Sequence, residues 1–580
     1  MMGDRFSHLK RLLLTVRHLR VRQIAYQIWY RLYPGTKPDL PNIGVRSFGE
    51  VIPWVEKPNC WEPGVAFSFL NERQLQYEPV EWEQQGVGKL WLYNLHYFDC
   101  LGGSADLVYE QQCAELIADW VSSNENIKGT GWEPYPTSLR IVNWIKWHLL
   151  SSDGLNEIAL QSLAQQTQWL YGRLEYHILA NHLFANAKAL VFAGLFFDGK
   201  QAEDWLKKGV SLVNAELKEQ ILEDGAHFEL SPMYHATLLE DVLDLINLAN
   251  SSTAIIDKNT LTFWCSTAQR MSQWQLTMLH PDGEIAFFND AALGIARTPK
   301  QIDAYFQKIV EGVNEARNFK NALPDEEKDV VLPSGYAVMQ RGPFKVIADV
   351  AKVGPDYQPG HAHADSLSCE LSVGRDRLFV NSGTSTYVKG ELRNYQRSTA
   401  AHNTLQLCGV NSSDVWDGFR VARRAYPLKE AWLSNDKKVR LLASHDGYRH
   451  FQNRPIHRRE WVLDEESFSV ADSLEISKQY REEDSLNNLV IVRWLLHPAI
   501  IVGPNHLLRT PSGWELQWQV SGGSTEVVPA FWYPEFGVSI PTQCLETTAS
   551  MLGENDKIKL VLRLVGEAPR NAVKHPLEAS

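Results

Sequence analysis

Residues 354–387 read GPDYQPGHAHADSLSCELSVGRDRLFVNSGTSTY, and the fold assignment rests on them. His361, His363 and Asp365 are spaced by two, so in a strand their side chains share one face. Leu367, Cys369, Leu371 and Val373 continue that parity, while Ser368, Glu370 and Ser372 take the other. The reading predicts a strand whose histidine face is buried, with the histidines at its mouth, where titratable groups suit chemistry. The alternation recurs downstream in NTLQLCG, HRREWVLD, LVIVRWLLHP, WELQWQV and IKLVLRLV, punctuated by Gly, Asn and Asp turns. Residues 330–575 are therefore expected to form an antiparallel β-sandwich.

Upstream the period changes. Segments 108–121, 137–150, 157–177, 182–197, 202–220, 235–250 and 259–277 place apolar residues three and four apart, the helical spacing. Helices of similar length in antiparallel pairs predict an (α/α) toroid over residues 90–325. The fold class is thus multidomain α+β, a helical toroid followed by a β-sandwich, with the site expected between them. Residues 35–89, rich in Pro and Gly, are read as a linker. Residues 1–34 carry seven Lys+Arg against one Asp, with Leu9, Leu12, Leu13, Val16 and Leu19 at helical spacing. Such a basic amphipathic helix lies on a membrane surface, or docks on a partner or on the protein's own body.

Net charge over the 580 residues is −12, which argues against non-specific nucleic-acid binding. An anionic polysaccharide would need a local basic cleft, and Arg393, Arg397, Arg420 and Arg423 are the candidates to line it. The 20 Trp and 20 Tyr suit sugar rings, although packing accounts for most such aromatics. Seven cysteines without a CxxC pair favour a reducing compartment. No run of 18 apolar residues exists, and the N-terminal stretch lacks a signal-peptide core. The expected location is cytoplasmic or at the inner face of the membrane, with the periplasm as the competing one. HExxH, Walker and GxGxxG motifs are absent.

Two helical motifs and one β cluster carry titratable groups. In LANHLFANAKAL, Asn181 and His182 enter a helix, and Asn186 lies four beyond His182 on the same face. In HFELSPMYH, Ser231-Pro232 reads as a helix start. Tyr234 then falls in the first turn, where the helix dipole would lower its phenol pKa. The β half supplies His361, His363, Asn381, Tyr387 and His402, residue types that could hold a metal ion, although Asn381 is a poorer ligand than Asp.

These motifs, GHAHADSLSCEL, FVNSGTSTY, RSTAAHNTLQL and FRVARRA, with upstream WEPYPTSLRIVNW, LANHLFANA and ELSPMYH, resemble the heparinase II/III family of polysaccharide lyases over residues 90–465. The resemblance implies a helical toroid followed by an antiparallel β-sandwich. It implies Asn181, His182, Tyr234 and His361 as catalytic-site residues, with Tyr387 as a second site tyrosine. It also implies that His363, Asn381 and His402 match a zinc cluster of some members. Asn381 stands where some members have Asp, and that departure removes a ligand charge.

The implied reaction removes the C5 proton of a uronate and expels the C4 oxygen. An amide or imidazolium must neutralise the adjacent carboxylate so that an enolate-like transition state can form. A Tyr or His takes the proton, and Tyr234 can deliver one to the leaving oxygen. A uronate C5 epimerase needs the same abstraction and is the nearest alternative. A glycoside hydrolase, using Glu229 with Glu223 or Asp224, is a second. A catalytically inactive glycan-binding protein is a third. Alginate, glycosaminoglycan and the cell's own capsule or exopolysaccharide all remain open as substrates, as do endo or exo action and the oligomeric state.

Overall fold

The structure, a computed structural model, describes residues 2–33, 35–40, 44–77, 79–102, 106–254, 256–313, 329–476, 489–550 and 556–566. The expected domain limits at residues 34, 325 and 575 lie outside these residues. The chain begins with two helices, α1 (Met2–Val16) and α2 (Val21–Leu32), rather than the single helix expected. Helices then follow as α3 (Lys89–Tyr97), α4 (Leu107–Ser123), α5 (Pro134–Leu150), α6 (Glu157–Tyr171), α7 (Ala180–Phe196) and α8 (Lys200–Gln220). The last long ones are α9 (Pro232–Ser251), α10 (Lys258–Met278) and α11 (Pro299–Gly312). Their starts follow local chemistry. Asp106, Asn156, Ser231, Asp257 and Thr298 are N-caps whose side chains accept backbone N–H groups of the first turn.

These helices pack as a toroid around a continuous core that includes Trp91, Trp120, Trp144, Trp205 and Trp264, all almost fully buried. Most tryptophans therefore serve packing rather than sugar stacking. The segment read as a linker holds a small antiparallel sheet, Trp61–Glu62, Ala66–Phe69 and Glu72–Leu75, which seats Trp61, Phe67 and Phe69 on the toroid core. A further strand, Gly44–Val45, pairs with Phe197–Asp198. Short strands of this kind carry too few alternations to stand out in a Pro- and Gly-rich stretch.

The C-terminal half is antiparallel throughout its three main sheets. A five-stranded sheet runs Asp376–Phe379, Cys369–Val373, Phe344–Asp349, Tyr336–Arg341 and Val330–Val331. An eight-stranded sheet is centred on Ser467–Glu475 and Lys557–Leu564, and a four-stranded sheet pairs Leu489–Leu495 with Ile540–Ser550. Their facing residues, among them Met339, Val346, Leu371, Trp461, Val470 and Trp494, form the sandwich core.

The five-stranded sheet is covered on both faces, and this joins the two halves. Ala337 and Met339 point into the sandwich, while Tyr336 and Val338 pack with Leu230, Trp274, Met278 and Phe288 of the helical half. The strand expected through the histidines begins only at Cys369. Leu367 has φ +62°, and Ser368 N–H turns back to the Asp365 carbonyl, so the alternation does not extend to His361. Within Cys369–Val373 both parities are buried, because the polar face meets the toroid. There Glu370 and Ser372 hydrogen-bond the two ring nitrogens of buried His280 at 2.9 and 2.7 Å.

Candidate active site

The toroid wall of the site is the start of α7. Leu179 and Ala180 hold φ of +70° and +50°, left-handed values that non-glycine residues rarely adopt. Strain of this kind persists only where the surroundings impose it, and here it sets Asn181 and His182 at the helix entrance. Glu175, in the loop before α7, anchors His182 and Asn186. It bonds His182 Nδ1 at 3.0 Å and accepts from Asn186 Nδ2 at 3.0 Å. The shared face of His182 and Asn186 is therefore real, and Glu175 is what it serves. Burial opposes a charge on His182, but the charge and hydrogen bond of Glu175 outweigh it and hold the imidazole pKa above its ordinary value. Tyr135 packs against His182 with the rings tilted and their centroids 4.4 Å apart. Asn181 Oδ1 is buried without a hydrogen-bond partner among the described residues.

The floor of the site is the start of α9. Ser231 caps Tyr234 N–H at 3.2 Å, as the Ser-Pro reading expects. Leu230, at φ +59°, delivers the chain into this cap; its carbonyl accepts from Tyr336 Oη at 2.6 Å and Asn289 Nδ2 at 2.9 Å. The expected lowering of the Tyr234 phenol pKa is overturned. Burial, reinforced by Tyr387 and the charge of Asp290, pushes it well above its ordinary value, because desolvation outweighs the dipole of one helix end. Tyr234 is consequently a neutral phenol at physiological pH.

The β half closes the site. His361 stacks on Tyr234 with ring centroids 4.0 Å apart, and Tyr234 Oη hydrogen-bonds Tyr387 Oη at 2.9 Å. His361 Nδ1 is hydrogen-bonded to Glu229, which leaves Nε2 as its other ring nitrogen for a substrate. Burial opposes the charge of Glu229, yet the adjacent His361 holds its pKa below the ordinary carboxylate value. His182 and His361 both act on Glu229 electrostatically, so the two walls share one field.

Asp290 joins these parts. Its backbone carbonyl accepts from Ser231 Oγ, and its N–H donates to the His361 carbonyl at 3.0 Å. Its carboxylate binds Arg393 through both guanidinium nitrogens and His363 Nε2 at 2.8 Å. Sequence reasoning missed Glu175 and Asp290 because neither sits in a recognisable spacing with its partner.

The arginines expected to contact substrate are mostly engaged inside the protein. Arg393 is fully buried on Asp290 and lies under the Tyr387 ring, 4.9 Å from its centroid. Arg397 is fully buried, donating to the Ala362 carbonyl, and burial lowers its pKa to about 9. Arg423 donates to the carbonyls of Asn411, Ser412 and Gly447. Arg420 alone of the four is exposed, paired with Asp417 at 3.3 Å. A guanidinium that must satisfy five donors is readily consumed by loop carbonyls once buried.

Two of the residues implied for zinc meet in a geometry that suits a cation. His363 Nδ1 faces His402 Nε2 at 3.1 Å, while His363 Nε2 bonds Asp290 and His402 Nδ1 bonds the Ser398 carbonyl. An imidazole whose other ring nitrogen is held by a carboxylate or carbonyl presents a lone pair, the usual arrangement of a metal-ligating histidine. Asn381 Oδ1 accepts from Asn403 N–H at 3.3 Å and would add no charge to such a set. Among the described residues no group of three His, Cys, Asp or Glu could hold a metal ion, so the set rests on two histidines and an amide.

Comparison with known proteins agrees with this architecture. Residues 71–317 match the heparinase II/III N-terminus, and residues 324–561 match the heparinase II/III-like C-terminal region. A heparin-sulfate lyase of Bacteroides stercoris is 25% identical over 310 residues, 52% of this chain and 44% of the relative. The heparin-sulfate lyase of Pedobacter heparinus is 27% identical over 360 residues, 57% of this chain and 52% of the relative. The chain thus spans about half the length of the curated relatives it matches. A solved heparinase III has the same fold, with TM-score 0.67 and 18% identity over 84% of this chain and 80% of that one. The helical toroid followed by an antiparallel β-sandwich, with both halves matched in order, establishes that the chain belongs to the heparinase II/III family.

Proposed function

We propose that this protein is a polysaccharide lyase that cleaves a uronic-acid-containing glycan by β-elimination. The observation that carries the reading is the convergence of Tyr234, Tyr387 and the Glu229-backed His361 opposite Asn181 and the Glu175-backed His182. In this reading cationic His182 and the Asn181 amide take the uronate carboxylate and stabilise the enolate-like charge that develops on it. His361 Nε2 removes the C5 proton, with Glu229 supporting the imidazolium that forms. Tyr234 protonates the departing C4 oxygen. Its raised pKa keeps the proton in place until that oxygen becomes basic, and Tyr387 replenishes the hydrogen bond.

The relatives named as heparin-sulfate lyases make a glycosaminoglycan the first substrate to try. With Arg393, Arg397 and Arg423 engaged inside the protein, the site favours a glycan charged mainly through carboxylate rather than sulfate. The cell's own surface polysaccharide is the proposed biological substrate. The hydrolase alternative lacks a carboxylate pair: Glu229 is held by His361, Glu223 is exposed, and Asp224 accepts from Ala226 and Ser334 N–H groups. The test is incubation with a panel of uronate polymers. Unsaturated uronate ends support the lyase. Intact polymer carrying solvent deuterium at C5 supports an epimerase instead, and saturated fragments support a hydrolase.

A further inference from the structure

Helices α1 and α2 each present two different faces, and the mechanism uses neither. The inner face of α2 is built from Gln23, Tyr26 and Tyr30, spaced three and four apart. Gln23 donates to the Tyr357 carbonyl, Tyr26 packs on Tyr176 with centroids 4.7 Å apart, and Tyr30 bonds the Leu174 carbonyl. Arg20 lies 3.7 Å above the Tyr357 ring and pairs with Glu219. The inner face of α1 sets Thr15 on Trp416 and the Val421 carbonyl, and pairs Arg11 with Asp414 at 3.0 Å. The pair therefore spans the toroid loop that carries Glu175 and the β-half loops on either side of the site.

The opposite faces are apolar and turned to solvent. On α2 these are Val21, Ile24, Ile28 and Leu32, of which Val21 and Leu32 are 83% and 68% exposed. On α1 they are Leu9, Leu13 and Val16, with Leu13 63% exposed. At 100° per residue both stripes lie across the helix from the residues docked on the body. Exposed Trp29 and Tyr33 pack on each other with tilted rings, centroids 4.1 Å apart, at the margin of the α2 stripe. Exposed Lys10 and Arg17 flank the α1 stripe, and exposed Arg31 flanks that of α2, whereas Arg22 sits 3.8 Å over the Tyr176 ring of the body. Residues 1–34 carry seven cations against one acid, in a chain whose net charge is −12.

We infer that this outward face is a docking surface for an anionic lipid bilayer. Apolar stripes bordered by arginine and lysine, with an aromatic pair at the margin, match the two contributions that hold an interfacial helix: buried apolar area and attraction to acidic headgroups. The charge contrast fixes the orientation, since the rest of the acidic surface is repelled by the same membrane. The helices would lie in the interface without crossing it; among the described residues no helix is long and apolar enough to span a bilayer. This inference does not depend on the lyase reading.

The test is flotation of the 580-residue chain with phosphatidylcholine vesicles, with and without phosphatidylglycerol. Binding is expected only with phosphatidylglycerol, weakened by high salt. The double substitution Ile28→Asp and Leu32→Asp should reduce it about tenfold or more, and Lys10→Glu with Arg17→Glu should reduce it likewise. Ile501→Asp, at an exposed apolar residue on the far edge strand of the eight-stranded sheet, should leave it unchanged, and circular dichroism shows which variants fold. No binding by the native chain overturns the inference, as does equal binding to both vesicle types. Light scattering that finds a dimer split by Ile28→Asp, without vesicle binding, assigns the face to a second copy and also overturns it.

Discussion

Glu175→Gln isolates one charge at the site. The amide keeps hydrogen-bonding capacity toward His182 and Asn186 and removes the negative charge 3.0 Å from the His182 ring. At that separation the bare attraction is roughly 5 kcal/mol at an effective dielectric of about 20. His182 is 24% exposed, and solvent screens part of this. What remains is about 1.5–3 kcal/mol, the size of a hydrogen bond to a charged group. That is about a ten- to hundredfold loss of proton affinity on His182. The sign follows from the raised pKa: the cation is present at low pH and is lost as pH rises through the folded-state value. If the cation binds the uronate carboxylate, the alkaline limb of kcat/KM moves to lower pH in Glu175→Gln. Activity at pH 7.5 should then fall about ten- to hundredfold, with far less loss at pH 5.5. Initial rates of unsaturated-uronate absorbance across pH measure this. A variant whose profile keeps its shape and drops uniformly would refute the electrostatic role and leave Glu175 as a structural brace.

Other outcomes test the surrounding framework. Asp290→Asn leaves Arg393 buried without its counter-charge and should cost about 3–5 kcal/mol in urea unfolding, whereas a loss below about 1 kcal/mol would remove Asp290 from its central place. In the sandwich, burial opposes the charge of Asp472, but Arg459 and His457 outweigh it and hold its pKa at about 2. Its stabilising share is therefore complete above pH 4 and is lost as pH falls toward 2, so Asp472→Asn should flatten the acid limb of stability measured by denaturant titration. A strong chelator tests the metal expectation: a melting temperature that chelator lowers and zinc restores supports ligation by His363 and His402, and an unchanged melting temperature counts against it.

The two-part architecture was legible because two hydrophobic periods divide the chain cleanly, and the family motifs named Asn181, His182, Tyr234, His361 and Tyr387 before any geometry was seen. The electrostatics were not legible. Glu175 and Asp290 meet their partners through the fold, and burial reverses the expectation that a first-turn tyrosine is acidified. The arginines misled for a related reason: an arginine beside a site motif looks the same whether it faces a glycan or is buried on Asp290. The strand through the histidines failed on one residue, Leu367, whose positive φ ends the alternation that parity alone would have continued.

The central claim is that Tyr234 protonates the leaving oxygen in an elimination. It is tested most directly by mass and absorbance analysis of products from a uronate polymer, comparing the native protein with Tyr234→Phe. The account predicts unsaturated uronate ends from the native protein and a rate about 10²–10⁴-fold lower in the variant, with binding and fold retained. Saturated fragments, or a variant as fast as the native protein, would contradict it.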